Sequence, residues 1–199
     1  LELHCEHGEA LFAHMPGVKV VIPSTPYDTK GLLTAAIRDP DPVIFLEPTR
    51  IYRAIKEEVP EEEYTVPIGK ARIAQEGTDV TLITWGALVK YSLDAVKTIQ
   101  DSISVEVIDL RTIYPFDAPA IIESVKKTGR VVIVHEAPKT GGFAAEIIAT
   151  INEKALEHLE APVVRVTGYD TCLPFARTEK EFIPDEQRIV AAIKKVHSY

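Results

Sequence analysis

The sequence is poor in the features that announce a chemistry. Its 199 residues hold two cysteines, Cys5 and Cys172, too few for a disulfide framework and in keeping with a reducing compartment. No signal peptide is legible, and no apolar run is long enough to cross a bilayer. Positive charge is in deficit: 22 Lys and Arg stand against 30 Asp and Glu, a net charge of −8. A phosphate backbone calls for a basic face, so this balance argues against nucleic acid and leaves basic proteins as partners. Phosphate loops are missing as well. The chain contains no G-x-G-x-x-G, G-x-x-x-x-G-K, H-E-x-x-H or G-x-S-x-G, and so by itself shows no obvious way to hold a diphosphate.

What is present is a strand–helix rhythm. Val80 to Thr84 is a short, β-branched apolar run that reads as a buried strand. Gly86 turns the chain, and Leu88, Ser92, Ala95, Val96 and Ile99 then fall on one helical stripe, with Lys90, Asp94 and Lys97 opposite. Ser104 to Asp109 is the next strand, giving a parallel pair with a right-handed crossover. Beyond it, Asp117 caps a helix, Arg130 to His135 is a strand and Gly141-Gly142 opens a long helix. Val163 to Val166 is a further strand, and Asp185 caps a final helix. Ala71 to Gln75 reads as an edge strand. Strands alternating with helices at this spacing predict a doubly wound, mostly parallel α/β sheet. Upstream, Glu9 to His14 ends a helix, Val18 to Ile22 is a strand, and Thr25 with Pro26 and Asp28 opens a helix to about Arg38; Val43 to Glu47 follows as a strand. Between the two parts, residues 54–66 carry five Glu against one Lys and lack periodicity. They read as a solvated linker. The chain does not begin with Met, and a piece of a longer protein is expected.

Three groups of reactive side chains stand out. His4-Cys5-Glu6-His7 is the densest. It lacks the second ligand group that a zinc site needs. Otherwise His4 either projects into a cleft as a proton donor or acceptor, for which an imidazole of pKa about 6.5 is suited, or lies on the surface. Asp109-Leu-Arg-Thr112 sits at a strand's carboxyl end, where open α/β sheets bind ligands. Yet an Asp109–Arg111 pair and a capping Asp117 account for it structurally. His135-Glu136 with Lys139-Thr-Gly-Gly142 is a third candidate: an anion site at a helix N-terminus, or a tight turn against its neighbours.

Several longer stretches carry a resemblance. Glu9-Ala-Leu-Phe12 with Pro16-Gly17, Ile22-Pro-Ser-Thr-Pro-Tyr27, Lys30-Gly-Leu-Leu33, Ala36-Ile-Arg-Asp-Pro-Asp-Pro42, Phe45-Leu-Glu-Pro48 and Val107-Ile-Asp-Leu-Arg-Thr112 occur in order. Together they resemble the beta subunit of the decarboxylating component of 2-oxo acid dehydrogenase complexes. Glu136-Ala-Pro-Lys-Thr-Gly-Gly-Phe143 and Gly168-Tyr-Asp-Thr171 look most like the branched-chain enzyme.

The resemblance implies that residues 1–53 end a thiamine pyrimidine-binding domain, that 54–68 are an acidic linker, and that 69–199 form a transketolase-type C-terminal domain. It implies oxidative decarboxylation of a branched-chain 2-oxo acid with acyl transfer to lipoyl-lysine. The alternatives are a pyruvate-specific member, a transketolase-like enzyme and a non-catalytic assembly module. Thiamine diphosphate and magnesium would be held mainly by an alpha subunit in an α2β2 heterotetramer. The subunit-binding and lipoyl domains of the dihydrolipoyl acyltransferase would be the other partners. The location would be cytoplasmic in a prokaryote and the mitochondrial matrix in a eukaryote. His4 stands where the family's active-site histidine precedes its E-A-x-F motif. Ala36, Asp39 and Asp41 match its potassium site. The sequence departs from the family in placing Cys5, Glu6 and His7 after the histidine, and in lacking the upstream part with the cofactor-activating glutamate. The piece alone is therefore expected to be inactive.

Overall fold

A computed structural model describes residues 7–174 and 177–199. The first part of the chain forms α1 (Glu9–Ala13), β1 (Lys19–Val21), α2 (Pro26–Arg38) and β2 (Val43–Phe45), then a 3-10 turn at Thr49–Ile51. The second part forms β3 (Arg72–Gln75), β4 (Val80–Thr84), α3 (Ala87–Lys97), β5 (Val105–Asp109), β6 (Thr112–Tyr114) and α4 (Ala118–Thr128). It continues through β7 (Val131–Pro138), α5 (Ala144–Ala155), β8 (Val164–Gly168), α6 (Glu179–Phe182) and α7 (Glu186–His197). Among these described residues no helix is long and apolar enough to cross a membrane.

Local chemistry sets the helix boundaries. The Thr25 hydroxyl accepts the Asp28 N–H at 3.0 Å, and Pro26 fills the first turn of α2, where no donor is needed. Asp117 does the same for α4 through Ala120, and Asp185 for α7 through Arg188. Gly129, at φ +66°, closes α4 in the left-handed conformation that a side chain would disfavour.

The larger sheet has the order β3-β5-β4-β7-β8, with β3 antiparallel at one edge and the rest parallel. Every residue of β4 and β5 is buried, as strands covered on both faces require. Successive side chains serve opposite layers. Leu82 packs with Leu88, Val96, Ile189 and Ile193 beneath α3 and α7, whereas Ile83 packs with Ile121, Ile133 and Ile147 beneath α4 and α5. This is the doubly wound, mostly parallel α/β architecture.

The smaller sheet has an unforeseen member. Its order is β2-β1-β6: β2 runs parallel to β1, but β6 comes from the second part of the chain and pairs antiparallel, Val20 opposite Tyr114 and Val21 opposite Thr112. A three-residue strand beside Pro115 carries no periodic signal, which is why the sequence reads as loop there.

Residues 54–68 also differ from a free linker. They contain no helix or strand, yet they lie strapped along α2. Val66 is buried and donates its N–H to the Gly31 carbonyl at 3.0 Å, the Tyr64 ring stacks on Tyr27 at 4.5 Å, and the Lys30 ammonium reaches the Glu62 carbonyl at 2.9 Å. Gly31 permits that approach: a Cβ there would stand 2.5 Å from Val66 Cγ2 and 3.0 Å from the Val66 nitrogen. Alanine ordinarily gains about 1 kcal/mol over glycine inside a helix. Here overpacking of about 1–3 kcal/mol outweighs it. Gly31→Ala is expected to lower the thermal midpoint and to speed proteolytic nicking between residues 54 and 66. An unchanged midpoint and cleavage rate would show that the strap is not held by this contact.

Candidate active site

The carboxyl ends of β1, β2, β4 and β7 face a cleft of about 640 Å³, lined among others by His7, Glu9, Arg50, Trp85, Glu136 and Glu179. This is the edge at which open parallel sheets present ligand sites. The two parts of the chain meet closely beside it. Gly86, at φ +57°, lets α3 begin under Ile22, where a Cβ would fall 2.9 Å from Ile22 Cγ2.

Charge in the cleft is mixed and half-desolvated. His7 Nδ1 lies 3.7 Å from Glu136 Oε2, and Arg50 Nε lies 3.5 Å from Glu136 Oε1. The Arg50 guanidinium also pairs with Glu179, so one arginine from the first part holds two carboxylates of the second. Glu9 is 3 % exposed. Burial raises its pKa against the opposing pull of His7 and of the Trp85 indole, which donates to it. Burial likewise raises the Glu136 pKa, against the pull of Arg50. It lowers that of His7, which Glu9 pulls back up and Arg50 pushes further down. Carboxyls shifted up and an imidazole shifted down are drawn toward each other in proton affinity, a pattern suited to acid–base work.

His135 stands behind this wall. It is 1 % exposed and stacks on Trp85 with ring centroids 5.3 Å apart. Its pKa is lowered to about 4 by burial, with smaller contributions from Arg165 and His7. Gly142 packs against it, so closely that a Cβ would meet its Cε1 at 2.7 Å and the Pro138 carbonyl at 2.7 Å. The tight turn, rather than an anion, accounts for Gly141-Gly142.

Asp109 and Arg111 do not form a side-chain pair. Asp109, fully buried, accepts from the Ser24 hydroxyl and from Arg72 Nη2 at 3.0 Å. Arg111 instead reaches Asp28 Oδ1 at 2.8 Å, while Arg72 Nε approaches Asp28 Oδ2 at 3.5 Å. Arg111 is at φ +57°, and its N–H donates to Asp109 Oδ1 at 3.1 Å. Burial raises the Asp109 pKa although Ser24 and Arg72 oppose it. These side chains join α2 and its approach to the end of β5; their work is to weld the two parts. Asp117 caps α4 and also accepts the Ala71 N–H at 3.2 Å.

Of the His4-Cys5-Glu6-His7 cluster only His7 lies within the described residues; His4 lies outside them. Ala36, Asp39 and Asp41 do come together, around an internal cation. Lys19 Nζ is 2.7 Å from Asp39 Oδ1 and 3.1 Å from Asp41 Oδ2, and the Ala36 carbonyl accepts the Asp39 N–H at 3.3 Å. Lys19 hydrogen bonding lowers the Asp39 pKa. Lys19 thus offsets one of the two negative charges and sits between the carboxylates that a cation would use. Among the described residues no group of three or more His, Cys, Asp and Glu side chains is placed to hold a metal. Sequence reasoning missed Glu9, Arg50 and Trp85. Glu9 reads from sequence only as part of a helix end and of the Glu9-Ala-Leu-Phe12 stretch, and neither Arg50 nor Trp85 belongs to a motif that marks it.

The fold agrees with what the chain is similar to. Residues 69–189 match the family model of the transketolase C-terminal domain, and residues 2–54 match that of the transketolase pyrimidine-binding domain. The chain belongs to the transketolase C-terminal domain family. More particularly, it is 56% identical over 197 residues to the subunit beta of the pyruvate dehydrogenase E1 component of Acholeplasma laidlawii, covering 98% of this chain and 60% of that protein. It is also 56% identical over 198 residues to the mitochondrial 2-oxoisovalerate dehydrogenase subunit beta of Dictyostelium discoideum, covering 98% of this chain and 53% of that protein. Among solved structures, a split-gene transketolase described as an inactive beta4 tetramer superposes with TM-score 0.79 at 25% identity, over 95% of this chain and 60% of that one. The Leishmania mexicana transketolase, at 18% identity and TM-score 0.62 over 95% of this chain and 26% of that one, shares the fold. The chain therefore spans between about half and three fifths of the length of the curated relatives described here.

The buried imidazole sets a pH dependence. A histidine that takes up its proton near pH 6.5 when unfolded, but only at about 4 when folded, costs stability as pH falls through that interval. The loss amounts to about 3 kcal/mol at pH 4, from about 1.4 kcal/mol per unit. Denaturant unfolding of the wild type and of His135→Gln at pH 7 and pH 4 is expected to show the variant losing less stability on acidification. Parallel losses would remove His135 from the acid response.

Proposed function

We propose that this chain is part of the beta subunit of a 2-oxo acid dehydrogenase, acting in the oxidative decarboxylation of a branched-chain 2-oxo acid and the transfer of its acyl group to lipoyl-lysine. The observation that carries this reading is similarity across 98% of the chain to two such subunits, along a chain that matches the pyrimidine-binding and then the C-terminal transketolase domain. The branched-chain substrate rests on Glu136–Phe143 and Gly168–Thr171. Equal identity to a pyruvate enzyme and a 2-oxoisovalerate enzyme keeps pyruvate as the second reading.

The described residues do not fit the diphosphate of thiamine diphosphate or its magnesium. Glu9, Glu47, Glu136 and Glu179 outnumber Arg50 and His7 around the cleft and would repel a diphosphate. Those groups are assigned to the alpha subunit of an α2β2 heterotetramer. A potassium ion at Ala36, Asp39 and Asp41 would compete with Lys19 for the carboxylates or use main-chain oxygens beside them. What this chain contributes is proton handling. His4, three residues before His7, protonates the dithiolane sulfur as the acyl group is transferred. The cofactor supplies the carbanion chemistry when bound.

In the full-length beta subunit assembled with its alpha partner, His4→Ala is expected to slow reductive acylation of a lipoyl domain by about 100-fold or more, the scale of general acid catalysis. A wild-type rate would overturn the role of His4. Comparing 3-methyl-2-oxobutanoate with pyruvate in the same assay decides the substrate class. The acidic balance also favours a basic subunit-binding domain as partner, whose affinity should fall as salt rises. Absence of binding at low salt in calorimetric titration of the assembled enzyme would count against that docking.

A further inference from the structure

We draw no further inference here: the strongest candidate, the apolar groove between the end of α5 and the start of β8 that Ile148, Leu156, Leu159 and Val163 line, carries nothing because nothing in the structure shows what covers it.

Discussion

The quartet of Asp28, Arg72, Asp109 and Arg111 is the constraint on which the remaining geometry hangs. Two buried carboxylates are each met by a guanidinium that keeps part of its surface in water, and burial of the carboxylates is tolerable only because those partners are in place. Loss of one member would strand the others at a cost of about 3–5 kcal/mol. Because Asp28 belongs to α2 and Asp109 to the end of β5, the quartet ties the first part of the chain to the second. Arg111 holds a left-handed backbone conformation to reach it, a local strain of about 1–2 kcal/mol that the ion pair offsets.

The cleft depends on that arrangement. Its walls come from strand ends of both sheets, and Arg50 crosses it to grip Glu136 and Glu179. Its interior is neither dry and apolar, as a pure hydrophobic pocket would be, nor uniformly acidic in effect. Desolvation pushes its carboxyls toward their neutral form, and Arg50 supplies a group of opposite sign. A surface of this kind suits exchange of protons better than retention of a phosphate.

Much of the architecture is legible in the sequence because it is written in local signals. Buried β-branched runs, capping residues at Thr25, Asp117 and Asp185, and the stripe of α3 each need only a few neighbours to be read. What stays hidden depends on partners distant along the chain. Asp109 meets Ser24, 85 residues away, while the nearer candidate, Arg111, turns to Asp28. The acidic strap looks solvated because its composition is polar, but Tyr64 and Val66 find a groove that only a folded α2 offers. Glu9 and Arg50 acquire chemical meaning from the cleft between two sheets, and no window of sequence contains that cleft.

The pairing of β6 with β1 has a consequence for how this chain can be divided. The covalent boundary between its parts runs through residues 54–68, whereas the hydrogen-bonded boundary runs elsewhere, since the first sheet borrows a strand from beyond that point. Severing the peptide there would leave two pieces that still share a ladder. Expressing the leading piece alone would bare the β1 edge, a ready template for unwanted intermolecular pairing. A break in the polypeptide there leaves each piece dependent on the other for a complete sheet.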